Sequence, residues 1–142
     1  MNKPLISHVG IAVADLETGI ARYALLFGCK PALIKEVVDQ QVKVAIFCRG
    51  GPEGQPGCCR IELVAGTDPR SPITRFIEKR GEGLHHVCIC VDDIESKLSE
   101  LKEAGFRLID EQPRIGAEGH KVAFVHPQGM NGVMVELEER SD

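Results

Sequence analysis

Hydrophobic and polar positions alternate over residues 6–13 and again over 84–91. A period of two marks a strand with two different faces. In the first stretch His8, Gly10 and Ala12 fall on one face, and Val9, Ile11 and Val13 on the other. In the second, His86, Cys88 and Cys90 oppose Val87, Ile89 and Val91. Each histidine thus shares its face with small side chains, which leave space beside the imidazole. The β-branched face is the one expected to pack beneath a helix. After each strand the period lengthens. Leu16, Ile20, Tyr23, Ala24 and Phe27 predict a helix over 16–27, and Ile94, Leu98 and Leu101 one over 94–104. Asp15 and Asp93 are placed to cap the helix starts, Gly28 and Gly105 to end them. Three extended segments follow each helix, at 32–38, 42–48 and 59–64, then at 107–112, 121–126 and 132–138. Ser71-Pro72 reads as a cap and first residue of a further helix, 72–80, that stops at Gly81.

The two series of elements are copies. HVGIAVADLE at 8–17 returns as HVCICVDDIE at 86–95, identical at six of ten positions. The step of 78 residues persists from Lys43-Val44-Ala45 to Lys121-Val122-Ala123. Ile61-Glu62-Leu63 echoes Val135-Glu136-Leu137 at a step of 74, which implies a four-residue insertion in the Gly/Pro-rich loop 50–57. A repeat of this kind sets the architecture before other arguments apply. The prediction is an α+β fold of two tandem βαβββ modules, 5–66 and 84–139, related by pseudo-two-fold symmetry. A helix at 71–81 connects them. No linker is long enough to part them, so a single domain over 1–142 is expected.

Composition adds mainly exclusions. The 142 residues are 43% hydrophobic and 27% charged, as in ordinary globular domains, with a formal net charge of −4. That balance gives no electrostatic footprint for nucleic acid. No apolar run approaches the ~20 residues of a membrane span. The opening MNKPLISHVG has no signal-peptide core, so a cytoplasmic location is expected. The six cysteines show no CxxC pair, and their spacing reads as free thiols rather than a disulfide framework or a thiolate zinc site.

Candidate chemistry gathers at matched positions of the repeat. His8 pairs with His86, and Glu62 with Glu136. Both glutamates sit inside apolar strands, IELV and MVEL, where a lone buried carboxylate costs several kcal/mol. Either both side chains reach solvent from a half-exposed sheet, or two imidazoles and two carboxylates form a divalent-metal set. Lys121 and His126, near the last strands, are candidates for substrate contacts. The first reads equally as a solvated strand-end charge, the second as a turn residue before Pro127. His120 reads as exposed. Arg75, Lys79 and Arg80 form a basic helix end that suits the helix dipole.

Four segments carry a resemblance: HVGIAVADLE, SPITRFIEKRGEGLHHVCICVDDIE, LIDEQPRIGAEGHKVAFVHP and GVMVELEE. They resemble the methylmalonyl-CoA epimerases of the vicinal oxygen chelate superfamily, relatives of glyoxalase I and the extradiol dioxygenases. The resemblance spans nearly the whole chain and implies the paired βαβββ fold. It also implies one divalent ion (Co, Ni, Zn or Mn) on His8, Glu62, His86 and Glu136, an acyl-CoA substrate and a homodimer. His85 is then a structural or supporting neighbour of His86. Several bacterial epimerases carry glutamine at the position of Glu62 and a catalytic glutamate at that of Val44. Valine cannot move a proton, so Glu62 and Glu136 become the candidate bases, and the His/Glu/His/Glu set is also similar to that of glyoxalase I. The competing readings are a glyoxalase I-type lyase or related isomerase, an extradiol-type dioxygenase, and a metal-free binding protein. Glu62 argues against the dioxygenase, and four intact ligands against the binder.

Overall fold

The structure, a computed structural model, describes residues 5–47 and 59–140. Cys48, Cys58 and the loop 50–57 expected to carry the insertion lie outside the described residues. The elements are β1 (Leu5–Ala12), α1 (Leu16–Phe27), β2 (Leu33–Val37), β3 (Val42–Phe47), β4 (Arg60–Gly66), α2 (Pro72–Arg80), β5 (Gly83–Val91), α3 (Ile94–Glu103), β6 (Arg114–Ile115), β7 (Lys121–Val125) and β8 (Val135–Glu139). This order is β-α-β-β-β twice, with α2 between. The chain falls into two compact units, Val9–His85 and His86–Asp142, the latter joined by the opening residues through His8.

In the Val9–His85 unit the strands lie in the order β2-β3-β4-β1. α1 begins where it does because Asp15 is extended and its carboxylate accepts from the Thr18 N–H at 3.3 Å. It ends at Gly28, whose φ of 72° is a left-handed conformation open to glycine without a Cβ penalty. The helix lays Leu16 on Ala45, Phe47, Leu63 and Ala65, with Ile20, Tyr23 and Phe27 beside them. Tyr23 and Phe27 place their rings 6.5 and 5.4 Å from Phe47. Burying one such side chain contributes roughly 1.5–3 kcal/mol, so this cluster fixes the helix to its sheet. α2 starts on buried Ser71, whose hydroxyl accepts from the Ile73 N–H at 3.2 Å.

In the other unit the order is β5-β8-β7-β6. Asp93 caps α3 by accepting from the Ser96 N–H at 3.0 Å. Ile94 and Leu98 then pack on Ala123, Val125 and Leu137, with Ile89 and Val91 alongside. The β-branched face of each repeated strand thus lies under its helix, as the alternation predicted. Strand pairing repeats as well. Ala45 faces Leu63 and Ile46 faces Glu62 in one unit; Ala123 faces Leu137 and Phe124 faces Glu136 in the other.

One expected strand is absent as such. Residues 107–112 make only an isolated bridge, Leu108 to Val125. The amides of Ile109 and Asp110 both donate to the Phe124 carbonyl, at 3.0 and 3.1 Å. The Asp110 carboxylate accepts from the Phe124 N–H at 2.8 Å. A side chain has taken the place of a ladder bond, Pro113 has no N–H to offer, and regular pairing begins only at Arg114. The last strand likewise begins at Val135 rather than 132, because Gly132 turns the chain with φ 85°.

Candidate functional site

The strand register of the His86–Asp142 unit sorts its side chains. Val87, Ile89, Val135, Leu137, Ala123 and Val125 face α3. By the strict alternation of strands, His86, Cys88, Phe124, Glu136 and Glu138 take the other face. On that face His8, His86 and Glu136 come together. Their Nε2 atoms are 3.1 Å apart, and Glu136 Oε1 lies 3.0 Å from His8 Nε2 and 3.2 Å from His86 Nε2. The two rings are nearly perpendicular, with centroids 5.2 Å apart. All three residues are buried, His8 and His86 to 4% exposure and Glu136 to 7%.

Burial alone would raise the Glu136 carboxyl. Hydrogen bonds from His8 and His86 outweigh it and hold the group at about 2, well below its ordinary value. Glu136 is therefore an anion at neutral pH. Two imidazole nitrogens and one carboxylate oxygen, each about 3 Å from the others, converge on a common spot. Only protons or a cation can occupy it. Neutral nitrogens with an anionic oxygen suit a borderline divalent ion, so the residues present fit a metal of that class. Cys88 Sγ lies within 4.8 Å of ligand atoms of His8 and Glu136. Burial, with Glu136 and Glu138 nearby, pushes its thiol far above the ordinary range.

Three neighbours shape this cluster, and sequence reasoning missed all three. Phe124 sets its ring edge-on to His86, centroids 5.7 Å apart, with the Arg114 guanidinium 6.0 Å above it. Ser7 Oγ is 3.1 Å from His8 Nδ1. Glu138, 2% exposed, accepts from the Ser7 hydroxyl at 2.5 Å. Glu138 was readable from alternation, since it lies two residues beyond Glu136. Ser7 was not, because strand alternation sends it to the face opposite His8.

Glu62, Lys121 and His126 are the other predicted site residues. Glu62 stands on β4 in the Val9–His85 unit, paired with Ile46 on the face that α1 does not cover. Val44 shares that face and is 3% exposed. Lys121 is on the helix side of its sheet, where its ammonium pairs with Glu95 at 2.9 Å. His126 caps a short 3₁₀ turn, its Nδ1 accepting from the Gln128 N–H at 3.0 Å. Neither is brought to the cluster. His85 packs edge-on to Phe76, 4.8 Å between centroids. His120 is part-exposed, its Nε2 4.0 Å from Glu138 Oε1.

A doubled βαβββ scaffold with an imidazole–carboxylate cluster on its uncovered face defines a class. The chain belongs to the glyoxalase/bleomycin resistance protein/dioxygenase superfamily, whose pattern matches residues 7–124. Its fold is glyoxalase-like, as the repeat and the four motifs predicted. Within that superfamily the relatives are specific. Over 136 residues it is 38% identical to the ethylmalonyl-CoA/methylmalonyl-CoA epimerase of Cereibacter sphaeroides, spanning 94% of this chain and 96% of that protein. It is also 38% identical over 136 residues to the mitochondrial methylmalonyl-CoA epimerase of Dictyostelium discoideum, covering 95% and 78%. Among solved structures, a methylmalonyl-CoA epimerase in complex with methylmalonyl-CoA and NH4+ matches with a TM-score of 0.88 and 26% identity, over 96% of this chain and 94% of that one. The enzyme from Mycobacterium tuberculosis matches at 0.83 and 32% identity, over 96% and 88%.

Proposed function

We propose that the protein is a metal-dependent epimerase that interconverts the (R) and (S) forms of methylmalonyl-CoA. The observation that carries this is the convergence of His8, His86 and Glu136 to within 3.2 Å of one another. The relatives named epimerase give that cluster its substrate class. His8, His86 and Glu136 would hold one divalent ion, of the cobalt, nickel, zinc or manganese type. Glu62, matched to Glu136 by the sequence repeat, completes the proposed ligand set on the strength of that repeat. When bound, the ion acts as a Lewis acid that lowers the energy of negative charge on an adjacent oxygen, an effect worth several kcal/mol.

The reaction needs a base on each face of the carbon between thioester and carboxylate. One glutamate takes the α-proton, the C–H bond breaks, and its electron pair moves to the thioester oxygen as an enolate. The second glutamate, starting as the carboxylic acid, gives its own proton to the opposite face, and exchange with solvent then restores both groups. Glu136 and Glu62 are the proposed pair, since Val44 carries no ionisable group. Glu136 starts as the required anion. Family resemblance supports a homodimer. Free thiols at Cys29, Cys59, Cys88 and Cys90 suit a cytoplasmic location. Among the described residues, no helix is long and apolar enough to cross a membrane.

A glyoxalase I-type lyase would use the same donor types, so substrate turnover must separate the readings. Metal-loaded protein, given a single epimer of methylmalonyl-CoA, should yield a mixture of both, and should leave a glutathione hemithioacetal untouched. Turnover of the hemithioacetal with no epimer interconversion overturns the proposal in favour of the lyase.

A further inference from the structure

His8 presents Nε2 to Glu136 and His86, and its other nitrogen, Nδ1, to Ser7. The Ser7 hydroxyl donates to Glu138 Oε2. Arg140 Nε stands 3.7 Å from the same oxygen. A hydroxyl has one proton, and that of Ser7 goes to Glu138. The Ser7 oxygen, 3.1 Å from Nδ1, can then only accept from the ring. Nδ1 must therefore carry a proton. With Nδ1 so held, Nε2, which donates to Glu136 in the metal-free protein, is the nitrogen left to give its lone pair to an ion that displaces that proton.

We propose that Glu138, acting through Ser7, is a positioning residue that keeps the proton on His8 Nδ1 and turns the Nε2 lone pair toward the metal centre. The proposal rests on the metal-centre reading above. It assigns Glu138 no contact with substrate. Backing of a ligand imidazole by a buried carboxylate sets both ring orientation and donor strength. The repeat places His85 at the position of Ser7 and Val64 at that of Glu138, so it does not supply the same pair to His86.

The test combines ¹⁵N spectra of the histidine rings in metal-free protein with Zn²⁺ affinity from competition against a chromophoric chelator. In the wild type, His8 Nδ1 should be protonated. Ser7→Ala removes the acceptor. Glu138→Gln supplies an amide that can donate to Ser7 and release the hydroxyl proton to Nδ1. Each should weaken Zn²⁺ binding about 10- to 100-fold. Ser7→Thr keeps the hydroxyl and should bind near the wild-type value, an outcome a merely space-filling role would not give. An unprotonated His8 Nδ1 in the wild type overturns the proposal, as does wild-type affinity in both Ser7→Ala and Glu138→Gln. Should either variant fail to fold, the wild-type spectrum and Ser7→Thr still decide. A folded wild type that holds no Zn²⁺ overturns the metal reading itself, and its Nδ1 resonance answers separately for the Glu138–Ser7 relay.

Discussion

In the Val9–His85 unit, Val44 faces Val64, Ala45 faces Leu63 and Ile46 faces Glu62. In the His86–Asp142 unit the same three rungs read Val122 with Glu138, Ala123 with Leu137, and Phe124 with Glu136. The helix-facing rung is the same in both, an alanine against a leucine. The rungs on the other face differ: valine against glutamate, isoleucine against phenylalanine. Duplicated packing has been kept where a helix must fit, because cores tolerate little change of volume. Polarity has diverged on the face that carries the chemistry. Ser7 and Glu138 belong to that divergence, since their repeat partners are His85 and Val64.

The largest effect is expected at the histidines, where the two copies agree. Removing both, as His8→Ala with His86→Ala, should take the retained ion from about one per chain to none. Elemental analysis of reloaded, desalted protein reads this directly, and undiminished metal would place the ion elsewhere. A second test sharpens the packing half. Phe47 and Val125 occupy matched positions, and both are fully buried. Phe47→Ala should cost about 3–5 kcal/mol, and Val125→Ala about 1.5–3 kcal/mol, in urea unfolding of metal-free protein. Equal costs would mean that the two cores are not built alike.

Glu136 gives a pH signature. Its folded-state pKa is depressed, so the stability it contributes is fully present above the ordinary carboxyl value of 4.5 and is lost as pH falls toward 2. In this window the unfolded chain takes up the proton first. Metal-free wild type should therefore lose stability more steeply than Glu136→Gln, by up to about 1.4 kcal/mol per pH unit. Parallel pH profiles would show that the two imidazoles do not hold the carboxylate as described. The smallest effect is expected at the helix starts, where the copies again agree. Asp15→Ala and Asp93→Ala should each lower the thermal midpoint slightly and equally, and the double variant should show the sum. A markedly larger loss from one cap would show that its helix contributes more to the folding transition.

Much of this arrangement was legible in the chain. Periodicity gave the helix bounds, Asp15 and Asp93 gave the caps, and the repeat gave the doubled module and the matched His and Glu positions. The misses have local physical causes. The Asp110 side chain replaces backbone pairing over 107–112, which no hydrophobic pattern reveals. Lys121 stood out as a charge near the last strands, yet the alternation with Ala123 and Val125 sends it to the helix side, where it meets Glu95. Ser7 escaped notice because its role depends on its position beside His8 Nδ1 rather than on a strand face. Glu138 carried a usable signal, a glutamate where the repeat has Val64, on the face of Glu136.

The proposed chemistry moves the α-proton of an acyl-CoA on and off with glutamate bases. It is tested most directly by proton NMR of methylmalonyl-CoA in deuterium oxide, following exchange and inversion separately from each epimer. Metal-loaded wild type should exchange the α-proton for deuterium and invert the centre from both sides. Glu136→Gln and Glu62→Gln should each slow proton transfer by about 10²–10⁴-fold on the face served by the missing base, with metal content largely kept. Wild-type inversion in Glu62→Gln would reduce Glu62 to a ligand. An α-proton that metal-loaded wild type exchanges from neither epimer would contradict the account.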